Sequence, residues 1–219
     1  AVAMAEGEAW HRDVRRVDVT CREKGPVGTV YLDLFDRAGK VQSACMATMA
    51  CAIDRPADGI RQLPQLVLSM TLERGRMSYM DVHSLFHEWG HTLHGLLGAT
   101  KYQHVSGVRT FPEQVEIPSV LFENFLESYT VVRQFARDAD GMVMPEDVHK
   151  ALLARERPAQ VLNLHNDIVY GLADLDFFAD DGTRGVTGDA DAMSDHFDAL
   201  VREHATVPLV SGAHTQFMH

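Results

Sequence analysis

The run from Val82 to Leu97 constrains this chain more than any other stretch. Val82, Leu85, Phe86, Trp89, Leu93, Leu96 and Leu97 recur at the spacing of an apolar helical face. Ser78 or Asp81 can cap the start, and Gly95 and Gly98 supply stop signals. No Lys or Arg interrupts the run, so the helix is expected to be largely buried. His87 and His91 stand four residues apart on it, which puts both imidazoles on one face. Two histidines so placed can grip one metal ion, and Glu88, next to the first, can project beside that metal and take a proton from a bound water. The plain alternative is a pair of core histidines satisfied separately. A buried imidazole needs a partner, and zinc is a strong one. Gly90, between the two histidines, leaves room for another segment to approach the helix closely.

Two histidines make half a site, because a catalytic zinc takes three protein ligands and keeps one position for water. The pattern with Gly at the seventh and a third His at the tenth position after the first is excluded, since His94 and Leu97 stand there. A downstream carboxylate is the other solution. Residues 111–125 offer Glu113, Glu116 and Glu123. Pro118 fits the first turn of a helix, which is expected to run through Leu126, Tyr129, Val132 and Phe135 towards Gly141. Spacing does not choose among the three. Glu116 and Glu123 would lie about two turns apart on one face, so that one can ligate while the other orients a histidine from behind.

With these residues in view, the chain resembles the thimet oligopeptidase and mitochondrial intermediate peptidase family of zinc metallopeptidases. The resemblance is carried by His87, Glu88, Gly90, His91 and His94, followed by Glu116, Pro118 and Ser119. Tyr102 to Gly107 and Arg109 resemble the mitochondrial intermediate peptidase branch more than thimet oligopeptidase, and Gly28 to Arg37 and Gln62 to Pro64 fit the family's approach to its metal helix. Similarity runs from about Trp10 to His219 and is weaker across 177–203.

The resemblance implies an HExxH-type zincin catalytic module of an oligopeptidase, with one Zn2+ per chain on His87, His91 and Glu116. It makes Glu88 the general base and His219 a catalytic group that stabilises the transition state. Glu123 is then the carboxylate that orients a ligand histidine. Tyr102, His104, Gly107 and Arg109 fall where the family contacts substrate, while His94 matches a further histidine of the metal helix whose role is not readable from sequence. The implied activity is that of a zinc metalloendopeptidase trimming N-terminal peptides from imported precursors in the mitochondrial matrix. A general cytoplasmic oligopeptidase, or a zinc-binding remnant with little activity, are the alternatives. The chain ends at His219, ahead of the family's tyrosine-rich segment, and lacks its N-terminal helical half. It therefore reads as an internal portion of a larger peptidase or a truncated product.

The rest of the chain sets limits. Its 219 residues suit one domain, expected here as a single partial catalytic domain over 1–219. The pattern is mainly α with a small N-terminal β-sheet (α+β): a sheet region at about 14–72 and a helical, zinc-binding region at about 78–219. Strands are expected at Val14–Thr20, Thr29–Asp36, Ser43–Ile53 and Gln65–Thr71, with turns at Gly25-Pro26 and Ala38-Gly39. Helices are expected at about 80–97, 117–138, 145–156, 158–175 and 188–204, and residues 180–185 as a solvated loop. A formal net charge of −11 without a basic run argues against a nucleic-acid partner and suits basic peptide substrates. Cys21, Cys45 and Cys51 are few, odd in number and not at metal spacing, which points to a reducing compartment. No apolar run is long enough for membrane insertion. The expected partner is a peptide or precursor protein, and a monomer is the default state.

Overall fold

The structure is a computed structural model that describes residues 9–178 and 190–206. Ala1–Val143 and Met144–His219 form two compact units. The described residues combine a small mixed sheet with helices, the α+β class that the pattern predicts.

In the first unit, β1 (Arg15–Cys21), β2 (Gly25–Phe35), β6 (Gln65–Leu72) and β3 (Cys45–Ala50) form a sheet in the order β1-β2-β6-β3. β2 and β6 run parallel, and β1 and β3 pair antiparallel with them as the two edges. A separate hairpin joins β4 (Ile53–Arg55) to β5 (Ile60–Gln62). β6 shows why the sheet has a face. Leu66, Leu68, Met70 and Leu72 are buried, while the residues between them are exposed or half-buried, as the two-residue period of a strand requires. Helix α1 (Tyr79–Leu97) lays Leu85, Trp89, Leu93 and Leu96 on that face, against Val30, Leu66 and Leu68. Burying a side chain such as Leu96 contributes about 1.5–3 kcal/mol. The histidines of α1 then fall on the side turned away from the sheet, a consequence of the 3.6-residue period.

Several expectations are corrected. The hairpin turn lies at Arg22–Lys24, and Gly25 and Pro26 already belong to β2, where the positive φ of Gly25 (74°) lets the chain re-enter the ladder. The strand expected over Ser43–Ile53 breaks after Ala50, and Ile53 starts the second hairpin. The single helix expected over 117–138 is three pieces: α3 (Ile117–Glu123), a 3₁₀ turn (Asn124–Glu127) and α4 (Tyr129–Val132). At the first break the Asn124 amide donates to the Val120 carbonyl at 2.9 Å; at the second, Ser128 leaves the helical region with ψ 110°. Both residue types compete with the helical ladder.

In the second unit the two helices expected around Pro158 are one, α5 (Glu146–Phe178). A proline lacks only its own N–H, and the helix-forming run Ala151–Arg157 before it carries the helix on. α6 (Ala190–His204) supplies Phe197 and Val201 to a core with Val169, Ala173 and Phe177 of α5. Residues 180–185 lie outside the described residues. No described helix is long and apolar enough to cross a membrane.

One polar cluster fastens the sheet. The buried Asp33 carboxylate accepts from Trp10 Nε1 (2.8 Å), from both Nη atoms of Arg37 (2.5 and 2.7 Å) and from Lys40 Nζ (3.0 Å). Lys40 also donates to the carbonyls of Asp33, Phe35 and Met70, bridging β2 and β6. Burial pushes the Asp33 carboxyl up, but Arg37, Trp10 and Lys40 more than offset this and hold it well below the usual carboxylate range. Asp33 therefore adds stability above the unfolded carboxylate value of about 4, and that stability is lost as pH falls through its lowered folded value. Asp33→Asn leaves Lys40 buried beside a neutral amide and should cost about 3 kcal/mol in urea unfolding at neutral pH. A loss below about 1 kcal/mol would mean that the cluster behaves as a screened surface pair.

Candidate metal centre

α1 is built to hold its histidines still. Ser78 is the N-cap: its hydroxyl accepts from the Asp81 backbone N–H (3.1 Å), and the Asp81 carboxylate accepts from the Ser78 N–H (2.7 Å). This reciprocal capping box, with Gly98 closing the other end, stabilises the 19-residue helix.

His87 and His91 bring their Nε2 atoms to 3.2 Å. The Oε2 of Glu116 stands 3.4 Å from the first and 3.2 Å from the second. Of the three downstream glutamates, Glu116 is thus the one whose carboxylate meets both histidines. Glu123 instead reaches the outer nitrogen of His87, with Oε1 2.6 Å from Nδ1. Glu113 lies exposed on the four-residue helix α2 (Pro112–Val115).

The spacing of the three inner atoms can be tested against a metal. Ligands at 2.0–2.2 Å from a tetrahedral zinc stand about 3.3–3.5 Å from one another, and the observed 3.2–3.4 Å matches. The Glu123 carboxylate favours a proton on His87 Nδ1, so that the Nε2 lone pair faces the centre, the tautomer a metal requires. The Glu116 side chain is 55% exposed, which leaves the cluster open to solvent on that side. The donor set and its spacing fit zinc.

Glu116 owes its position to a break in the chain. It closes α2 and opens α3, with φ −86° and ψ −7°, and is not part of either helix. The fully buried Ser119 shares its hydroxyl proton between the Glu116 carbonyl (2.8 Å) and Oε2 (2.7 Å), orienting the atom that faces the histidines. The N-terminus of α3 can come this close because residue 90 is Gly. A Cβ there would lie 2.6 Å from the Ser119 Cα and closer still to the Pro118 carbonyl oxygen.

Glu88 is buried within α1, next to His87. His94 is half-buried. Burial, with a further contribution from His91, pushes its pKa down, and the Val115 carbonyl opposes this as an acceptor. Two residues near the centre have partners that sequence spacing does not reveal. Ser119 was visible only as part of a motif, although a Ser three residues after a Glu is a usual local partner. His83 stands four residues before His87 on the same face, and its Nε2 lies 3.5 Å from Glu123 Oε2, so one carboxylate links two histidines.

The expected substrate residues divide. Gly107 and Arg109 line a cavity of about 500 Å³, with His94, Val105, Phe111 and Gln114 among the other walls. Gly107 has φ 65° and donates its N–H to the Gly98 carbonyl at 2.8 Å, closing the loop onto the end of α1. Arg109 donates to the Gln103 carbonyl at 3.4 Å and meets no carboxylate among the described residues. Tyr102 is exposed under Lys101, and His104 sits on the 3₁₀ turn Gln103–Val105; neither lines the cavity. His219 lies outside the described residues.

Comparison with known proteins adds the lineage. The sequence pattern of peptidase family M3 matches residues 1–219. The mitochondrial intermediate peptidase of Homo sapiens is 34% identical over 192 residues, covering 84% of this chain and 27% of the relative. Mitochondrial intermediate peptidase 2 of Cryptococcus neoformans var. neoformans serotype D (strain JEC21) is 34% identical over 208 residues, covering 78% of this chain and 25% of the relative. A match to the mitochondrial intermediate peptidase of Coprinopsis scobicola, 29% identical, reaches 98% of this chain and 32% of the relative. The chain thus spans about a quarter to a third of the length of these curated relatives. With a family match along its whole length and the histidines and glutamate gathered at one point, the chain belongs to peptidase family M3.

Proposed function

We propose that this chain carries the zincin module of a zinc metalloendopeptidase of the mitochondrial intermediate peptidase type, with residues 1–219 as a partial catalytic domain. The observation that carries the reading is the mutual 3.2–3.4 Å spacing of His87 Nε2, His91 Nε2 and Glu116 Oε2. These three residues would hold one zinc ion. When bound, zinc lowers the pKa of a coordinated water and polarises the scissile carbonyl.

The chain's own residues supply the rest. Glu88 takes a proton from the attacking water and returns it to the leaving amine as the peptide bond breaks. Glu123 keeps His87 in the ligating tautomer, and Ser119 keeps the Glu116 carboxylate turned inward. The edge strand β3 packs near α1 and has no strand on its outer side among the described residues. An extended peptide can pair there through its backbone, while Gly107 and Arg109 border the cavity beside the histidine helix. His219 is assigned, through the resemblance, to stabilising the transition state.

The substrate class is short peptides or the N-termini of precursor proteins, and the compartment is the mitochondrial matrix; both readings are supported by the names of the relatives. A quenched fluorescent peptide tests the activity. Cleavage that stops with a zinc chelator and returns with added zinc supports the proposal. Cleavage indifferent to the chelator would overturn it.

A further inference from the structure

The carboxylate behind His87 belongs to a long side chain at a weak place in the backbone. Glu123 is the last residue of α3, and the chain passes at once into a 3₁₀ turn. A glutamate there loses much rotational freedom when it keeps one oxygen 2.6 Å from His87 Nδ1. A single contact fixes that oxygen but leaves the carboxylate free to turn about it.

A second contact limits the turning. Glu123 Oε1 meets His87 Nδ1, while the other oxygen, Oε2, stands 3.5 Å from His83 Nε2. His83 and His87 are four residues apart on α1, so one row of the helix faces both oxygens. An ionised carboxylate only accepts hydrogen bonds, so His83 faces it favourably with a proton on Nε2. The two contacts are unequal. The one at 2.6 Å is short and charge-assisted, whereas 3.5 Å lies outside the ordinary hydrogen-bond range. His83 therefore draws little charge from the carboxylate, and its contribution is direction. The His83 ring is itself held in the row, with its centroid 6.0 Å from that of Tyr79, one turn earlier.

We infer that His83 is a positioning residue for the zinc site: by facing the second oxygen of Glu123, it holds that carboxylate in the orientation that keeps His87 ligating through Nε2. The inference rests on the metal site proposed above. It assigns His83 a task that acts only through Glu123, which separates it from ordinary packing of α1 against α3.

The test is a double-mutant cycle between His83→Phe and Glu123→Ala, with His83→Gln beside it. Phe keeps a ring against Tyr79 and has no N–H; Gln keeps an N–H donor of similar reach. Each variant is titrated with zinc in competition with a chromophoric chelator and loaded with cobalt(II) for its visible spectrum. Metal-free unfolding midpoints are recorded alongside. His83→Phe should weaken zinc about tenfold, the lower end of the range for residues acting behind a ligand, and shift the cobalt bands. His83→Gln should return both towards wild type. In the Glu123→Ala background, His83→Phe should change zinc affinity by no more than about twofold, the scatter of uncoupled sites. An equal loss in both backgrounds would overturn the inference, because His83 would then act without the carboxylate. A Phe variant with wild-type affinity and spectrum would overturn it too, whatever its unfolding midpoint, as would a Gln variant as impaired as Phe. A wild-type chain that binds neither metal would overturn the metal site, and the inference with it.

Discussion

Glu88→Gln should retain zinc and lose at least about a thousandfold in peptide hydrolysis, within the range of about 10²–10⁴ for a positioned acid–base group. Glutamine has the size of the glutamate it replaces and can neither take the proton from water nor return it to the amine. The residue is buried, and glutamine fills the space it leaves without changing the packing around α1. Unfolding midpoint and zinc content should therefore match wild type. The comparison separates two readings of the same residue. A buried Glu with only a structural role would change stability and leave turnover in place. Wild-type turnover in the Gln variant would remove Glu88 from the mechanism.

Glu116→Ala should have the largest effect on metal binding. Apparent binding energies of about 10–16 kcal/mol for four-ligand zinc sites correspond to about 3 kcal/mol for each ligand. Loss of one should weaken zinc by about 100- to 1000-fold. The histidines cannot compensate, because the capped helix holds their Nε2 atoms on one side of the centre. Stability should change little, since the Glu116 side chain is 55% exposed and its main partner is Ser119. Glu123→Ala is the natural comparison. It leaves all three inner atoms in place and removes the carboxylate behind His87, so its effect should be smaller, about 10- to 100-fold.

Much of this was legible in the sequence where one local rule applied without competition. The apolar period from Val82 to Leu97 and the capping residues before it located α1, and with it His87 and His91. The alternation of Leu66, Leu68, Met70 and Leu72 located β6. The choice among Glu113, Glu116 and Glu123 was not legible from spacing, although the family resemblance implied Glu116, and the reason is physical. A helix continuous through residue 116 would have set Glu116 and Glu123 in line, about two turns apart. The chain instead enters α3 at Ile117, leaving Glu116 at a junction whose geometry depends on close packing against Gly90. Such an approach is a tertiary fact that no spacing rule contains. The breaks at Asn124 and Ser128 and the continuity through Pro158 show the same limit. In each, side-chain competition or a helix-forming neighbourhood outweighed the simpler signal.

The same logic explains the residues that spacing alone leaves without a role. His83, His87, His91 and His94 all lie on the side of α1 turned from the sheet, yet they meet different partners. His83 and the outer nitrogen of His87 face Glu123; the inner nitrogens of His87 and His91 face Glu116; His94 lines the cavity with Gly107 and Arg109. A helix that looks histidine-rich in sequence is, in the fold, one His-His-Glu cluster with the proposed metal role and a carboxylate behind it.

Zinc stoichiometry by elemental analysis, on wild type and Glu116→Ala purified side by side, tests the central claim most directly. One zinc per wild-type chain, lost from the variant under the same dialysis, is the predicted result. A wild-type chain without zinc, or a variant that retains a full equivalent, would contradict the assignment of His87, His91 and Glu116 as the metal site.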